Sequence, residues 1–182
     1  MKDTDTLPDW IGPGLRMVSV GLNPSLHSVR AGFPFANPQN RFWKALNASG
    51  MLDEVLEPGT AAMRRLFEHH RIGFTDVVKR PTPGAAQLRT ADFRAWAPVL
   101  TDKLLACAPR TVWFHGKVAY RAWLKHGALK SATGDAVEVD WGLQPLRIGG
   151  ARVFVTPNPS PANAGYSLDD LIVWYRGLAA LD

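Results

Sequence analysis

The segment LRMVSVGL, residues 15–22, indicates how this chain folds. It is a short, valine-containing apolar run followed by Asn23-Pro24, which predicts a buried β-strand that ends in a loop. Further strands are predicted at 72–78, 110–116 and on both sides of the Gly149-Gly150 turn. Helices are predicted between them, at 41–49, 60–70, 90–106 and 117–126, and after residue 167. This alternation predicts a three-layer α/β/α sandwich with a central, mostly parallel sheet.

Single residues predict how some helices begin and end. Asn40 and Thr90 are expected to cap the helices that follow them, and Ser167 is expected to begin a capping box for the last helix. Pro98 lies inside the longest predicted helix and is expected to kink or break it.

Composition limits the class of protein. The 182 residues suit one domain, 1–182, in which residues 1–13 are expected to form a loose arm. A hydrophobic content of 46% and a charged content of 20% exclude a largely disordered chain. The net charge of +5 and the isoelectric point near 9.7 favour a polyanionic partner. No apolar run is long enough to span a membrane and no signal peptide is recognisable, so we expect a cytoplasmic protein. A monomer is the simplest expectation for its oligomeric state.

Motifs for metals and cofactors are missing from the sequence. The single cysteine, Cys107, excludes an intramolecular disulfide and is expected to be a buried apolar residue. The five histidines contain no H-x-x-H or H-x-x-x-H pair, and neither a P-loop nor a G-x-G-x-x-G motif is present. We therefore expect neither a metal nor a cofactor.

Three loops leave the predicted carboxyl ends of strands, where α/β proteins place their functional residues. In the first loop, 23–40, Asn23 directly follows a strand, and Phe35 lies on a proline-stiffened segment that suits stacking with a planar ligand. Phe42 and Trp43, which lie on the helix after it, are expected to be core residues.

The second and third loops carry weaker signals. Asp76, at the end of the strand 72–78, is a candidate general base, although a carboxylate that pairs with Lys79 fits the pattern as well. The third loop, TPNPSPANAGYS at 156–167, is rigid and rich in small polar groups, and it could present backbone N–H groups to phosphates. Taken alone, this loop is equally a tight turn before the last helix.

The first and third loops together resemble a known family. The motif GLNPS at 21–25, GFPFANPQNRFW at 32–43 and PNPS at 157–160 resemble the mismatch-specific uracil-DNA glycosylases and the related thymine-DNA glycosylases. The resemblance runs from Val18 to the final helix. It implies the uracil-DNA glycosylase fold and hydrolysis of the N-glycosidic bond of uracil opposite guanine in double-stranded DNA, which leaves an abasic site.

The resemblance also implies roles for individual residues. Asn23 matches the residue that positions the attacking water, and Phe35 matches the aromatic residue that stacks on the flipped base. Backbone N–H groups at Leu22 and Phe35 are expected to bind the uracil oxygens, and Ser28 is expected to crowd a thymine methyl group. Asn158 is expected next to the target nucleotide. The residues expected to contact DNA are Ser25, Arg30, Ser160, Pro161, Ala162 and Asn163.

Some positions depart from the family pattern. Ser25 stands where many members have glycine, and Ala162 is smaller than the usual apolar wedge, so Asn163 or Tyr166 is an alternative wedge. Asp76 replaces a lysine or an amide, and it is a candidate second catalytic residue beside Asn23.

Further basic residues near the predicted loops complete a candidate DNA surface: Lys79, Arg80, Arg89 and Lys117. No lysine lies on a recognised motif, which predicts a monofunctional glycosylase without a Schiff-base step. Two alternatives remain from the sequence alone. One is a non-catalytic module that binds damaged DNA, and the other is a small-molecule nucleoside hydrolase.

Overall fold

The computed structural model describes residues 6–128 and 138–181, and its centre is one five-stranded sheet. The strands lie in the order β2-β1-β3-β5-β4. Neighbours among the first four are parallel, and the short β4 runs antiparallel to β5. The strands are β1 (Met17–Gly21), β2 (Ile72–Asp76), β3 (Thr111–His115), β4 (Gly142–Leu143) and β5 (Arg152–Thr156).

Helices cover both faces of this sheet. They are α1 (Leu26–Ala31), α2 (Phe42–Ala48), α3 (Thr60–Glu68), α4 (Thr90–Cys107), α5 (Lys117–His126) and α6 (Leu168–Ala179), with a short 3₁₀ helix at Ala85–Gln87. The predicted α/β sandwich with a mostly parallel sheet is confirmed.

Two buried clusters hold the layers together. Val112 and Phe114 of β3 point to the face covered by α4 and α5, where Tyr120 and Trp123 are also buried. Trp113, between those strand residues, points to the other face, where α2, α3 and α6 pack. Because side chains alternate along a strand, a sheet covered on both faces needs apolar residues at successive positions. The continuous apolar runs of the sequence therefore have a direct structural cause.

One helix was not predicted, and another is unbroken at a proline where a kink or a break was expected. The predicted loop 23–40 contains α1, whose first turn is capped by Ser25 and whose end is closed by Gly32 in the left-handed conformation. Helix α4 continues through Pro98 without a break. Ala97 and Leu100, on either side of the proline, are buried against the sheet. This packing outweighs the one hydrogen bond that proline removes.

The predicted helix starts are partly right. Ser167 and Asp170 form the expected capping box. Asn40 Oδ1 accepts a hydrogen bond from Phe42 N, but Asn40 lies one residue before the N-cap of α2, which is Arg41. Thr90, however, is the first helical residue of α4 and not its cap. Asp92 instead accepts a hydrogen bond from the backbone N–H of Arg89, at 2.7 Å.

The described part of the N-terminal arm, residues 6–13, is docked on the domain. Trp10 and Phe74 exchange two backbone hydrogen bonds of 2.8 Å, which extend the sheet beyond β2. Leu7 is buried. An edge strand offers unpaired N–H and C=O groups, so β2 gives the arm partners, and the expectation of a loose arm is wrong for these residues.

Among the residues described, no helix is both long and apolar enough to cross a membrane. Cys107 is buried, as expected for an apolar core residue.

Candidate active site

A pocket of about 200 Å³ opens at the carboxyl edge of the sheet. Loops that follow β1, β2 and β5 line it together with the docked arm. Of the predicted site residues, Leu22, Asn23, Ser28, Phe35, Asp76 and Asn158 line this pocket, and so do Ser25 and Ser160. Arg30, Pro161, Ala162 and Asn163 do not.

The amide of Asn23 is fixed in one orientation. Its Nδ2 donates to Thr82 Oγ1 at 2.8 Å, to the carbonyl of Arg80 at 3.0 Å and to the carbonyl of Pro24 at 3.3 Å. Because three acceptors surround this atom, it must be the amide nitrogen and not the amide oxygen. Oδ1 takes part in none of these bonds and is the end available to accept a hydrogen bond in the pocket.

The loop after β2 is joined closely to the loop after β1. Val77 N and Val78 N donate to the carbonyls of Gly21 and Leu22, and Thr82 N donates to the carbonyl of Pro24. This continuous pairing extends the sheet register beyond the strands. It explains how two segments far apart in sequence place Asn23 and Asp76 in one pocket.

Phe35 lies in the wall of the pocket with a strained backbone. Its φ is +57°, a left-handed conformation that costs a non-glycine residue energy and often occurs at functional sites. One face of its ring stacks on Phe42, with 4.1 Å between centroids and 17° between planes. The Oγ of the buried Ser28 accepts a hydrogen bond from Ala36 N at 3.4 Å, which supports this segment.

His115, at the end of β3, also lines the pocket and was not among the predicted site residues. Its Nε2 lies 2.8 Å from Ser19 Oγ, and its ring meets Phe35 edge-on at 5.0 Å. Burial lowers the pKa of His115 to about 3, so the imidazole is neutral and serves as a support for Phe35 at physiological pH. The sequence signal was only a histidine at a strand end.

Asp76 projects from the last position of β2, opposite Gly21 of β1. Its carboxylate lies so close to Gly21 that a Cβ added there would be 2.5 Å from Asp76 Oδ1. Burial raises the pKa of Asp76 to about 6, against the charge of Lys79 and with a smaller contribution from the charge of Asp9. The carboxyl group is therefore mostly ionised at neutral pH and more basic than an ordinary aspartate.

Lys79 is buried, with 8% of its side chain exposed. Its Nζ lies 2.8 Å from Asp9 Oδ1 and 3.6 Å from Asp76 Oδ2. The predicted pairing of Asp76 with Lys79 is thus present, but Asp9 of the arm is the closer partner. Asp9 and the arm residues that line the pocket, which are Leu7, Pro8 and Trp10, were missed from sequence.

The third loop is organised from within. Asn158 Oδ1 accepts from Ser160 N, Ser160 Oγ accepts from Ala162 N, and the Ser160 carbonyl accepts from Asn163 N. These backbone N–H groups are therefore already engaged, and the expectation that the loop presents them to phosphates does not hold for them. Pro161 and Ala162 form an exposed tip.

Arg41, a residue the sequence did not single out, holds this loop from outside. Its guanidinium donates to the carbonyls of Ser160 at 2.7 Å and Asn163 at 2.8 Å, and also to the carbonyl of Tyr166. Its backbone N donates to the carbonyl of Pro159 at 3.1 Å. Arg41 thereby joins the start of α2 to the whole loop.

The candidate DNA surface is smaller than the sequence suggested. Arg80 forms a two-pronged ion pair with Asp92, and Lys117 pairs with Asp140 at 3.5 Å. Together with the burial of Lys79, this leaves Arg30 and Arg89 as the exposed members of the predicted set.

A separate polar cluster lies outside the pocket. Four side chains each place one potential metal-ligand atom within 4.8 Å of the other three: Asp53, Glu54, His69 and His70. The spacing of the histidines in the sequence did not indicate this proximity. Glu54 already accepts a 2.6 Å hydrogen bond from Arg65 and lies 2.7 Å from His70 Nε2.

Comparison with known proteins agrees with this architecture. The family model of the uracil DNA glycosylase superfamily matches residues 8–176. The structure is also similar to the solution NMR structure of a candidate uracil DNA glycosylase from Methanosarcina acetivorans, with a TM-score of 0.60 and 22% sequence identity. That match covers 96% of this chain and 98% of the other. At this level of identity the structural likeness shows a shared fold.

The family match spans the docked arm from residue 8, all three loops of the pocket and most of α6. It therefore includes all of the residues that line the pocket except Leu7. The chain belongs to the uracil DNA glycosylase superfamily, whose members hydrolyse the bond between a base and its deoxyribose in DNA.

Proposed function

We propose that this protein is a monofunctional, mismatch-specific uracil-DNA glycosylase that releases uracil paired with guanine in double-stranded DNA. One observation carries the proposal. Asn23, with its Oδ1 available, and Asp76, a buried carboxylate of raised pKa, line the same pocket as the stacking residue Phe35. A residue that positions water and an aromatic platform suit hydrolysis of an N-glycosidic bond, and a nearby base makes the water a better nucleophile.

In this mechanism the attacking water lies between the two polar residues. Asn23 Oδ1 accepts one hydrogen bond from the water and orients it, while Asp76 accepts the proton as the water attacks the anomeric carbon. The bond between the sugar and uracil breaks, and uracil leaves as an anion that the pocket must stabilise. Asp76 must be ionised to act, so activity should rise with pH through about pH 6.

Uracil is expected to stack on the face of Phe35 that does not lie on Phe42. Ser28 lies in the pocket wall beside it and narrows the space for a 5-methyl group. We therefore propose a preference for uracil over thymine. The proposed preference for guanine as the partner base rests on the resemblance of the motifs at 21–25, 32–43 and 157–160 to the mismatch-specific enzymes, since the loop 156–167 departs from the family pattern at Ala162.

The absence of a lyase step is supported by the lining of the pocket. Within the described part of the chain no lysine lines it. A Schiff-base mechanism needs an uncharged amine at the sugar. Lys79, the nearest candidate in sequence, is engaged with Asp9 and Asp76.

The test is single-turnover cleavage of a labelled duplex that holds one uracil opposite guanine, followed by alkali. We expect the wild type to release uracil, and Asn23→Ala and Asp76→Asn each to be slower by about 100-fold or more. Asp102→Asn, which removes an exposed carboxylate from α4, is the matched control and should keep the wild-type rate.

Other outcomes distinguish the alternatives. DNA binding without release of uracil would indicate a damage-binding module, and release from free deoxyuridine would indicate a nucleoside hydrolase. Equal rates on uracil opposite adenine and opposite guanine would contradict the mismatch preference. Trapping of a covalent DNA adduct by borohydride would contradict the monofunctional mechanism.

A further inference from the structure

We propose that Asp9 is a positioning residue for Asp76: from the docked arm it holds the ammonium group of Lys79, so that the Asp76 carboxylate stays available to the water. This inference rests on the proposed role of Asp76 as a base. It makes the N-terminal arm a functional part of the site and extends the catalytic apparatus to a segment that precedes β1.

The contacts of Asp9 support this role. Its Oδ1 accepts hydrogen bonds of 2.8 Å from both Lys79 Nζ and Thr75 Oγ1, and its Oδ2 accepts one of 2.6 Å from Lys103 Nζ. The carboxylate is therefore bound from β2, from the loop after it and from α4. Burial alone would raise the pKa of Asp9, but the charge of Lys79 and these hydrogen bonds lower it below its usual range. Asp9 is ionised whenever the protein is at neutral pH.

The two carboxylates compete for one buried cation. Lys79 Nζ lies 2.8 Å from Asp9 but 3.6 Å from Asp76, and all three side chains are at most 15% exposed. A close ion pair would occupy Asp76 and make it a weaker proton acceptor. Because Lys79 lies closer to Asp9, its charge is only partly available to Asp76, which remains able to accept a proton.

The arm is attached firmly enough to set this geometry. Trp10 pairs with Phe74 through two backbone hydrogen bonds, and Thr6 Oγ1 donates to the Lys79 carbonyl at 2.5 Å. Asp9 lies between these two attachment points. Residues on both sides of it, Pro8 and Trp10, also line the pocket, so the segment that carries Asp9 meets the same cavity as Asp76.

Among the residues that the structure describes, the other ionisable groups near the pocket do not compete for Asp76. Lys79, on the loop after β2, and Asp9, on the arm, are the charged groups whose electrostatic influence reaches it. Lys103 of α4 is bound to the far oxygen of Asp9. His115 of β3 is neutral over the working pH range.

Removal of Asp9 and removal of Lys79 should shift the pKa of Asp76 in opposite directions. In Asp9→Asn, Lys79 loses its nearest carboxylate and a flexible side chain can close the 3.6 Å gap to Asp76. A closer cation and the loss of the negative Asp9 both lower the pKa of Asp76. In Lys79→Met the cation is absent and the pKa of Asp76 rises.

The experiment measures single-turnover rates of the full chain on uracil opposite guanine from about pH 5 to about pH 9. For Asp9→Asn we expect the midpoint of the rise in rate to move at least about half a pH unit lower and the plateau to fall roughly 3- to 10-fold, since a weaker base is a poorer catalyst. For Lys79→Met we expect the midpoint to move higher. Asp102→Asn should match the wild type.

If Asp9 had a merely structural role, Asp9→Asn would lower the rate without moving the midpoint, and that result overturns the inference. A pH profile of Asp9→Asn identical to that of the wild type also overturns it. Should Asp9→Asn fail to fold, Lys79→Met decides alone, because a midpoint that stays or falls contradicts the competition. Asp76→Asn separates the two proposals. If it keeps the full rate, the base assignment in the proposed function is wrong. If it is inactive while Asp9→Asn is normal, only the inference about Asp9 is wrong.

Discussion

At the scale of single residues, the buried charge of Asp76 should cost stability. Its pKa of about 6 lies above the 3.8 of an unfolded aspartate, so folding becomes less favourable as the group ionises between these values. The full cost, up to about 3 kcal/mol at 1.36 kcal/mol per pKa unit, is present above pH 6 and absent below about pH 4.

Asp76→Asn should therefore raise the free energy of unfolding at pH 8 by up to about 3 kcal/mol, with a gain that disappears near pH 4. Urea denaturation at both pH values measures it, with Asp102→Asn as the control. If the variant is no more stable than the wild type at pH 8, burial of the ionised Asp76 carboxylate does not lower the free energy of unfolding.

Gly21 gives a second way to test the position of the carboxylate. Alanine at this position would place a Cβ 2.5 Å from Asp76 Oδ1, and the side chain would have to move. We expect Gly21→Ala to lower the single-turnover rate by about 10-fold or more through misplacement of the base. Gly150→Ala is the matched control because a Cβ there meets nothing within 4 Å. Equal rates for the two variants would separate Asp76 from the chemistry.

The residues that sequence reasoning found and missed differ in a physical way. Asn23 directly follows the apolar run 15–22, and Asp76 is the last residue of β2, so both could be placed at the carboxyl edge of the sheet from the strands alone. Asp9, Arg41 and His115 act through partners that are distant in the chain, such as Lys79 and the loop 156–167. Neither spacing nor composition records such contacts.

At the scale of secondary structure elements, Arg41 links the start of α2 to the loop after β5. It donates to several carbonyls of the segment 159–166, and the tip of that loop is the expected contact with the DNA duplex. Arg41→Met keeps the apolar stem but removes the donors. We expect it to weaken binding of uracil-containing duplex by roughly 10-fold because the loop must then be ordered on binding.

Fluorescence anisotropy with a catalytically slow Asn23→Ala background measures this effect without cleavage. Arg64→Met, which removes an exposed arginine from α3, is the control for loss of one positive charge. If the two variants weaken binding equally, Arg41 contributes to DNA binding only through its charge and not by ordering the loop.

The elements that were predicted correctly share a strong local signal. The main strands are continuous apolar runs, and α6 begins with a capping box. Helix α1 was missed because its six residues lie among Gly, Pro and Asn, which normally indicate a loop. Only its ends, Ser25 and Gly32, carry helix signals, and they were too short a pattern to outweigh the composition.

At the scale of the whole molecule, the net charge of +5 favours a polyanionic partner but does not say which cations are available to DNA. Lys79, Arg80 and Lys117 pair with carboxylates of the same chain, as described above. Binding should then depend on a small number of exposed cations at the edge of the sheet where the pocket opens. Arg30 is such a cation, because α1 directly follows the loop that leaves β1.

The salt dependence of binding tests this arrangement. Each phosphate contact contributes about 0.9 to the slope of log K against log salt concentration, so Arg30→Ala should reduce that slope by about one. Arg147 is an exposed arginine near the turn that precedes β5, where the amino-terminal ends of the parallel strands lie, opposite to the pocket. Arg147→Ala should therefore leave the slope unchanged. Both variants lose one charge, so a general effect of net charge would change both slopes equally. A difference between them places the DNA at the pocket edge, and equal slopes would place it elsewhere.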